Sequence, residues 1–122
     1  MQPVPSQARD LLRLNWSADG RLLGTDGARL WTTELDGKSP VQLAADRHAE
    51  IQFPSACGSS YIVFGWRFHE ESNSVRIWRI NADGLNPVRL TSGGRDLLPV
   101  CSPDQKWVYY HDDVVLLQQS KP

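Results

Sequence analysis

The sequence predicts an all-β fold, and three observations lead to this prediction. A nine-residue motif recurs along the chain, and Asp-Gly pairs separate short apolar runs. No long stretch keeps the i, i+3, i+4, i+7 apolar spacing of a helix, and the one candidate, Ser6 to Leu14, is short. The 122 residues are 40% hydrophobic and include five Trp, three Tyr and three Phe, so the chain has enough apolar material for one core.

The recurring motif sets the period of the chain. It occurs at residues 15–23, 55–63 and 100–108, the second copy being the most divergent. Ser17, Cys57 and Ser102 occupy the same place in the three copies, at intervals of 40 and 45 residues. A second element, residues 30–43, matches residues 77–90 at an interval of 47 residues. Intervals of this length are typical of four-stranded β-propeller blades.

Turn-forming residues connect the predicted strands. Asp-Gly pairs occur at residues 19–20, 26–27, 36–37 and 83–84. Both residue types tolerate positive φ, so we expect hairpin turns at these places. After Ser17 and Ser102, the Ser hydroxyl and the following Asp carboxylate can each accept a hydrogen bond from a backbone N–H.

We predict that residues 1–122 form one domain of about three antiparallel blades. Blade one spans about 12–44, blade two about 48–91, and a partial blade three about 95–118, which lacks its outer strand. Residues 68–74 are polar and predict a loop in solvent between two strands of blade two.

The repeats resemble those of a known family. Residues 98–110 and 77–91 are similar to the Pro-x-Trp-Ser-Pro-Asp-Gly and Ile-Tyr-x-x-Asn-Ala-Asp-Gly-x-x-x-x-x-Leu-Thr signatures of TolB-like, WD-like propeller repeats. Such repeats occur in periplasmic Tol-system components, in prolyl-oligopeptidase-like peptidases and behind bacterial serine/threonine kinase domains. The resemblance implies a propeller scaffold and a periplasmic or extracytoplasmic location. Blade two departs from the signature at 57–60, and blade one has Ala18 where Pro is usual.

The number of blades is too small for a closed ring. A propeller typically closes with roughly four to eight blades, and an open stack exposes strand edges and apolar faces. We therefore expect this chain to be part of a six- to eight-bladed ring. Either it is a fragment of a longer propeller, or two copies close a six-bladed ring as a homodimer, with Met1 to Asp10 supplying the missing outer strand.

The functional prediction is a non-catalytic module that binds a protein, peptide or glycan partner at the mouth of the propeller channel. The sequence contains no Gly-x-Ser-x-Gly elbow, no Walker loop and no kinase catalytic loop. It therefore predicts no catalytic, cofactor-binding or metal-binding residue, and no motif identifies the ligand-binding residues. The alternative is an accessory or sensor propeller of a peptidase or kinase whose catalytic domain lies outside this chain.

A few side chains could carry chemistry, and each has a simpler interpretation. The triplets 69–71 and 111–113 combine His with acidic residues, but neighbouring strand residues point to opposite faces, so we expect solvated charges and no metal. His48 is expected in a loop, with a ligand contact at the channel mouth as the alternative. The tryptophans are expected to pack between blades and not to form a binding surface; they are Trp16, Trp31, Trp66, Trp78 and Trp107.

Charge, hydropathy and cysteine content limit the remaining classes of function and location. Thirteen basic and fourteen acidic residues give a net charge of -1 without a basic stripe, which excludes a nucleic-acid partner. No apolar run is long enough for a membrane span, and Met1 to Asp10 lacks signal-peptide features. We expect Cys57 and Cys101 to be small buried residues. A bridge between them would require Cα atoms within about 7 Å, a distance that the sequence does not give, so their oxidation state stays open.

Overall fold

The computed structural model describes residues 12–46, 49–69, 74–111 and 113–116, and these residues form three antiparallel sheets. Blade one consists of β1 (Leu12–Trp16), β2 (Leu22–Thr25), β3 (Arg29–Thr33) and β4 (Val41–Ala45). Blade two consists of β5 (Ala49–Cys57), β6 (Tyr61–Phe68), β7 (Val75–Asn81) and β8 (Val88–Arg89). Blade three consists of β9 (Val100–Cys101), β10 (Trp107–Tyr110) and β11 (Asp113–Leu116). The predicted all-β fold class is confirmed, whereas Met1 to Asp10 lies outside the described residues.

The predicted turn chemistry is present at both Ser-x-Asp turns. The Ser17 hydroxyl accepts a hydrogen bond from the Arg21 N–H at 3.1 Å, and the Asp19 carboxylate accepts a second from the same N–H at 3.3 Å. Ser102 accepts from the Trp107 N–H at 3.1 Å. These bonds satisfy backbone donors that a tight turn would otherwise leave unpaired.

Alternate residues of blade two pack against its two neighbours. In β6, Ile62, Phe64 and Trp66 face blade one, where they contact Leu23 and Leu30 in one buried cluster. Val63 lies between them in sequence and faces blade three, in a second cluster with Ile77, Leu90 and Val108. The period of two along a strand explains why blade two is apolar on both faces. The blades therefore stack face to face through two separate cores.

A β-bulge in β5 reverses which face its residues occupy. Gln52 lies opposite Gly65 and Ser55 opposite Val63, so two residues of β5, Phe53 and Pro54, oppose a single residue of β6. Such an insertion shifts the alternation of side chains by one position. Ile51 consequently packs toward blade one, whereas Cys57 joins the cluster toward blade three.

Cys57 and Cys101 form a disulfide between blades two and three, a pairing that the sequence left open. Their Cα atoms lie 5.2 Å apart, within the distance a disulfide can span. The bulge explains this contact, because without the extra residue Cys57 would lie on the same face as Ile51 and point away from blade three. The bridge joins the ends of two first strands, β5 and β9.

Two tryptophans pack between blades, as predicted. The Trp66 ring lies 5.3 Å from Phe64, 4.9 Å from Phe68 and 5.1 Å from Trp78, and this aromatic group contacts the blade-one cluster. Edge-to-face contacts of this kind add to the free energy gained from burying the rings. Trp31 is also buried, and its indole Nε1 donates to Asp26 at 3.2 Å.

Within the three described blades, Trp16 and Trp107 do not show the predicted inter-blade packing, since they are 60% and 39% exposed. The turn of blade three holds one residue more than that of blade one: Ser102 N–H bonds the Trp107 carbonyl, whereas Ser17 N–H bonds the Arg21 carbonyl. This extra residue places Val108, not Trp107, against blade two. Trp16 pairs with Leu22 on the face of blade one that points away from blade two.

The disulfide should make a large contribution to stability. For a sequence separation of 44 residues, loop-closure entropy predicts that reducing it lowers the free energy of unfolding by about 4 kcal/mol. Urea unfolding of the oxidised and reduced protein measures this difference. The double variant Cys57→Ser/Cys101→Ser is the control, since reductant should not change its midpoint. Two titratable thiols in the unreduced protein would contradict the assignment.

Two glycines in similar turns should respond differently to substitution. Gly20 and Gly84 both have positive φ, 83° and 90°, so alanine costs about 1 kcal/mol at either position. A Cβ at Gly20 meets no atom within 4 Å, whereas at Gly84 it would lie 2.6 Å from the Leu43 carbonyl oxygen of blade one. Chemical denaturation should therefore show Gly84→Ala to be at least ~1 kcal/mol more destabilising than Gly20→Ala. Equal losses of unfolding free energy for the two variants would show that blade one does not approach blade two at Gly84.

Candidate binding cleft

A polar cleft of about 420 Å³ lies at the inner edge of the stacked blades. The first strands β1, β5 and β9 neighbour one another there. We call this site the arginine cleft; it is lined by Arg13, Glu50, Gln52, Phe53, Arg67, Val75, Arg95 and Leu97. It extends from blade one, across the first half of β5, to the segment that enters blade three.

A left-handed residue at one repeat position shapes the cleft. Arg13, Phe53 and Leu98 have φ of 53°, 48° and 57°, and each lies four residues before the position shared by Ser17, Cys57 and Ser102. A non-glycine residue in this region costs about 1 kcal/mol, so the surrounding packing must hold it there. The Arg13 guanidinium lies 4.3 Å from the centroid of the Phe53 ring, which is a cation–π contact between two of these residues.

Glu50 is the carboxylate of the cleft, and one of its oxygens receives three hydrogen bonds or ion-pair contacts. Gln52 Nε2 lies 2.8 Å from Glu50 Oε1, and Arg67 approaches the same oxygen with Nε at 3.1 Å and Nη2 at 3.0 Å. Glu50 and Arg67 are direct cross-strand partners in β5 and β6. The Gln52 hydrogen bond, followed by Arg67 and then the charge of Arg13, lowers the pKa of Glu50 below its ordinary value.

The described lining carries an excess of positive charge. It contains three guanidinium groups and one carboxylate, although the whole chain has a net charge of -1. Arg95 is exposed, and it forms no ion pair with a described residue. Its backbone is fixed, because the Val75 N–H donates to the Gly94 carbonyl and the Asp96 N–H to the Val75 carbonyl, both at 2.9 Å. The arginine cleft therefore presents guanidinium donors from a rigid edge.

A second groove, of about 300 Å³, lies between blades one and two, beside the Ser17 turn and the turn at residues 57–60. Its polar groups are bonded within the protein: the Ser17 hydroxyl donates to Asp19, and Arg21 Nη2 donates to the Ser39 carbonyl at 2.8 Å. The Ser17 bond lowers the pKa of Asp19 and keeps it ionised. These groups stabilise the turn, which leaves them less available to a ligand than the guanidiniums of the arginine cleft.

The His and acidic side chains that the sequence suggested as possible ligands are not among the described residues that line the arginine cleft. His69 and His111 are exposed, while His48, Glu70, Glu71 and Asp112 lie outside the described residues. Within the described ranges, no group of three metal-ligating side chains occurs. Those same ranges contain no helix that is long and apolar enough to span a membrane.

Sequence analysis missed the cleft residues, although a signal was present. Glu50 and Gln52 alternate with buried Ala49 and Ile51 in a first strand, and a charged residue at the inner edge of a blade requires a partner. Arg67 in β6 is the cross-strand partner of Glu50. A comparison of the repeats by strand face, as well as by motif, would have placed these three side chains together.

One solved structure similar to this chain is that of a protein from Agrobacterium tumefaciens assigned as a TolB. The two share a TM-score of 0.64 at 19% sequence identity, and the match covers 90% of this chain but 39% of that one. No family model and no curated protein matches the sequence. The chain thus has a TolB-like fold and spans less than two-fifths of the length of that similar protein.

The Glu50 network should make stability depend on pH. Because the folded pKa of Glu50 is lowered, its contribution is present above its ordinary pKa of 4.5 and is lost as the pH falls through the folded value. Glu50→Gln should be less stable than the natural protein at pH 7, and the difference should shrink below about pH 4.5. The side chain is 35% exposed, so screening limits the effect to below about 1 kcal/mol.

Urea unfolding between pH 3 and 7 measures the difference. Glu34→Gln, which removes an exposed carboxylate from a turn, is the matched control for the loss of one negative charge. A constant difference for Glu50→Gln across the same range would show that its ion pair with Arg67 does not stabilise the fold.

Proposed function

We propose that this chain is a β-propeller binding module that holds a segment of a protein or peptide at one mouth of the propeller channel, without a catalytic step of its own. The arginine cleft is the observation that carries this proposal. First strands line the channel of a propeller, and four of the eight cleft residues belong to β1 and β5. The cleft lies where the chain enters β5, which is the end of a first strand and hence a channel mouth.

The dimensions and chemistry of the cleft suit a short peptide segment. A volume of about 420 Å³ lies in the range of small-ligand pockets, which is roughly 300–1,000 Å³. Val75, Leu97 and Phe53 offer apolar contacts beside the guanidinium and amide donors. A few polar groups set among apolar surface give a ligand both orientation and affinity. Peptide side chains combine the same two kinds of group.

Further blades are part of the proposal, because both outer faces of the stack are apolar and open. Trp16 lies on the outer face of blade one, and Val100 and Tyr109, 57% and 53% exposed, lie on the outer face of blade three. Exposed apolar surface of this kind favours association. We propose that these faces pack against the other blades of a six- to eight-bladed ring in a longer protein, in keeping with the greater length of the similar structure.

The disulfide supports an extracytoplasmic location for this module. Structural disulfides persist in oxidising compartments and are rare in the cytosol, where thiols are kept reduced. Cys57 is fully buried, and Cys101 lies in the same cluster beside Val63 and Val108. A bridge enclosed in a core in this way has a structural role.

Peptide selection followed by NMR tests the proposed function. A peptide selected from a random library for binding to the full chain should shift the backbone amide signals of β1 and the first half of β5. Phe53→Ala should weaken this binding by about fivefold or more, because the ring contacts ligand and positions Arg13. Leu85→Ala, which truncates an exposed apolar side chain in another turn, is the matched control. Amide shifts confined to the second groove, beside the Ser17 turn, would contradict the proposal.

A further inference from the structure

We infer that the arginine cleft recognises carboxylate groups, and that its ligand is an acidic peptide segment. This inference rests on the proposed function, which places a peptide at the cleft without specifying its chemistry. The starting observation is charge: Arg13, Arg67 and Arg95 line the cleft with Glu50 as the one acidic residue in its described lining. Among the described residues, Glu50 pairs with Arg67, and Arg13 and Arg95 are left without an ion-pair partner.

Glu50 shows how the cleft holds a carboxylate. Its Oε1 accepts from Gln52 at 2.8 Å and contacts two nitrogens of Arg67 at 3.0 and 3.1 Å. Short charge-assisted contacts of this kind are the strong hydrogen bonds of proteins, and the guanidinium fork matches the geometry of a carboxylate. The protein therefore already binds one carboxylate at this place, using donors of the same kind that the remaining arginines supply.

Arg13 and Arg95 are the donors available for an incoming carboxylate. Arg13 stacks on Phe53 at 4.3 Å, which uses the face of the guanidinium and leaves the N–H groups in its plane free to donate. Neither arginine has a side-chain hydrogen bond or ion pair with a described residue. The stacking contact also holds Arg13 in place, so less side-chain entropy is lost when a ligand binds.

The distribution of charge favours a short acidic peptide over a polyphosphate. The chain as a whole has a net charge of -1, and two cations outside the cleft are paired locally, Arg29 with Asp26 at 2.8 Å and Lys38 with Asp36 at 3.8 Å. The sequence carries no basic stripe along which a polyanion could extend beyond the cleft. Two side-chain carboxylates separated by an apolar residue would match the two unneutralised guanidiniums and the apolar side chains of Val75 and Leu97.

Calorimetric titration of the full chain with a defined pair of peptides tests the inference. The first probe is acetyl-Gly-Glu-Phe-Glu-Gly-amide, and the second replaces both Glu residues with Gln. The acidic peptide should bind about tenfold more tightly or better, since each charge-assisted contact exceeds a neutral one. The advantage should decrease as the salt concentration rises, because exposed charges are screened.

Three substitutions locate the effect. Arg95→Gln and Arg13→Gln should each weaken the acidic peptide by about tenfold, while Arg89→Gln, on exposed β8, removes the same charge elsewhere and should change affinity by less than about twofold. Glu50→Gln should strengthen binding of the acidic peptide, since it removes the carboxylate that competes for Arg67. Thermal unfolding of each variant confirms that the fold is retained.

The outcomes separate this inference from the proposed function. Equal binding of the two peptides, with no effect of Arg95→Gln or Arg13→Gln, would overturn the carboxylate inference and leave peptide binding at the cleft intact. Displacement of the acidic peptide by an equal concentration of inorganic phosphate would also overturn it, in favour of a general anion site. Failure of both these peptides and all library-selected peptides to bind at the cleft would overturn both proposals.

Discussion

The left-handed residue four positions before the shared Ser17, Cys57 and Ser102 position is the constraint on which the rest of the structure depends. In blades one and two it coincides with a shift in strand register, at Arg13 and Phe53. The conformation costs about 1 kcal/mol per residue, and the bulge is held by contacts between blades, including the hydrogen bond from Asn15 Nδ2 to the Pro54 carbonyl at 3.2 Å. The same bulge directs Cys57 toward blade three and presents Arg13 and Phe53 at the inner edge.

The two interfaces between blades are stabilised by different means. Blades one and two bury a large aromatic group around Trp66, so area and ring contacts supply the free energy. Blades two and three bury smaller residues, such as Val63 and Val108, and are also joined by the disulfide. A covalent link is most useful where a small apolar core alone gives limited stability. Phe64 and Cys57 thus hold blade two to its two neighbours: Phe64 packs against blade one, and Cys57 is bridged to blade three.

Much of the fold follows from local sequence, and most of the cleft does not. Turns such as Ser17 to Arg21 could be predicted because their hydrogen bonds lie within five residues. The bulge could not, because Arg, Phe and Leu at the left-handed position share no chemistry. The exposure of Trp107 follows from one extra residue in a turn, which motif alignment does not detect. The cleft draws on separate strands and a connecting segment, so only the three-dimensional arrangement brings Arg13 and Arg95 to one site.

We propose that the bulges at Arg13 and Phe53, together with β6 and the segment before blade three, build a carboxylate site from arginines distant in sequence. NMR observation of the arginine Nε–Hε signals during titration with the acidic peptide tests this most directly. The signals of Arg13, Arg67 and Arg95 should shift together with one dissociation constant, whereas those of Arg29 and Arg89, which lie outside the cleft, should not move. Equal shifts at all five arginines, or shifts at the latter two alone, would contradict the account.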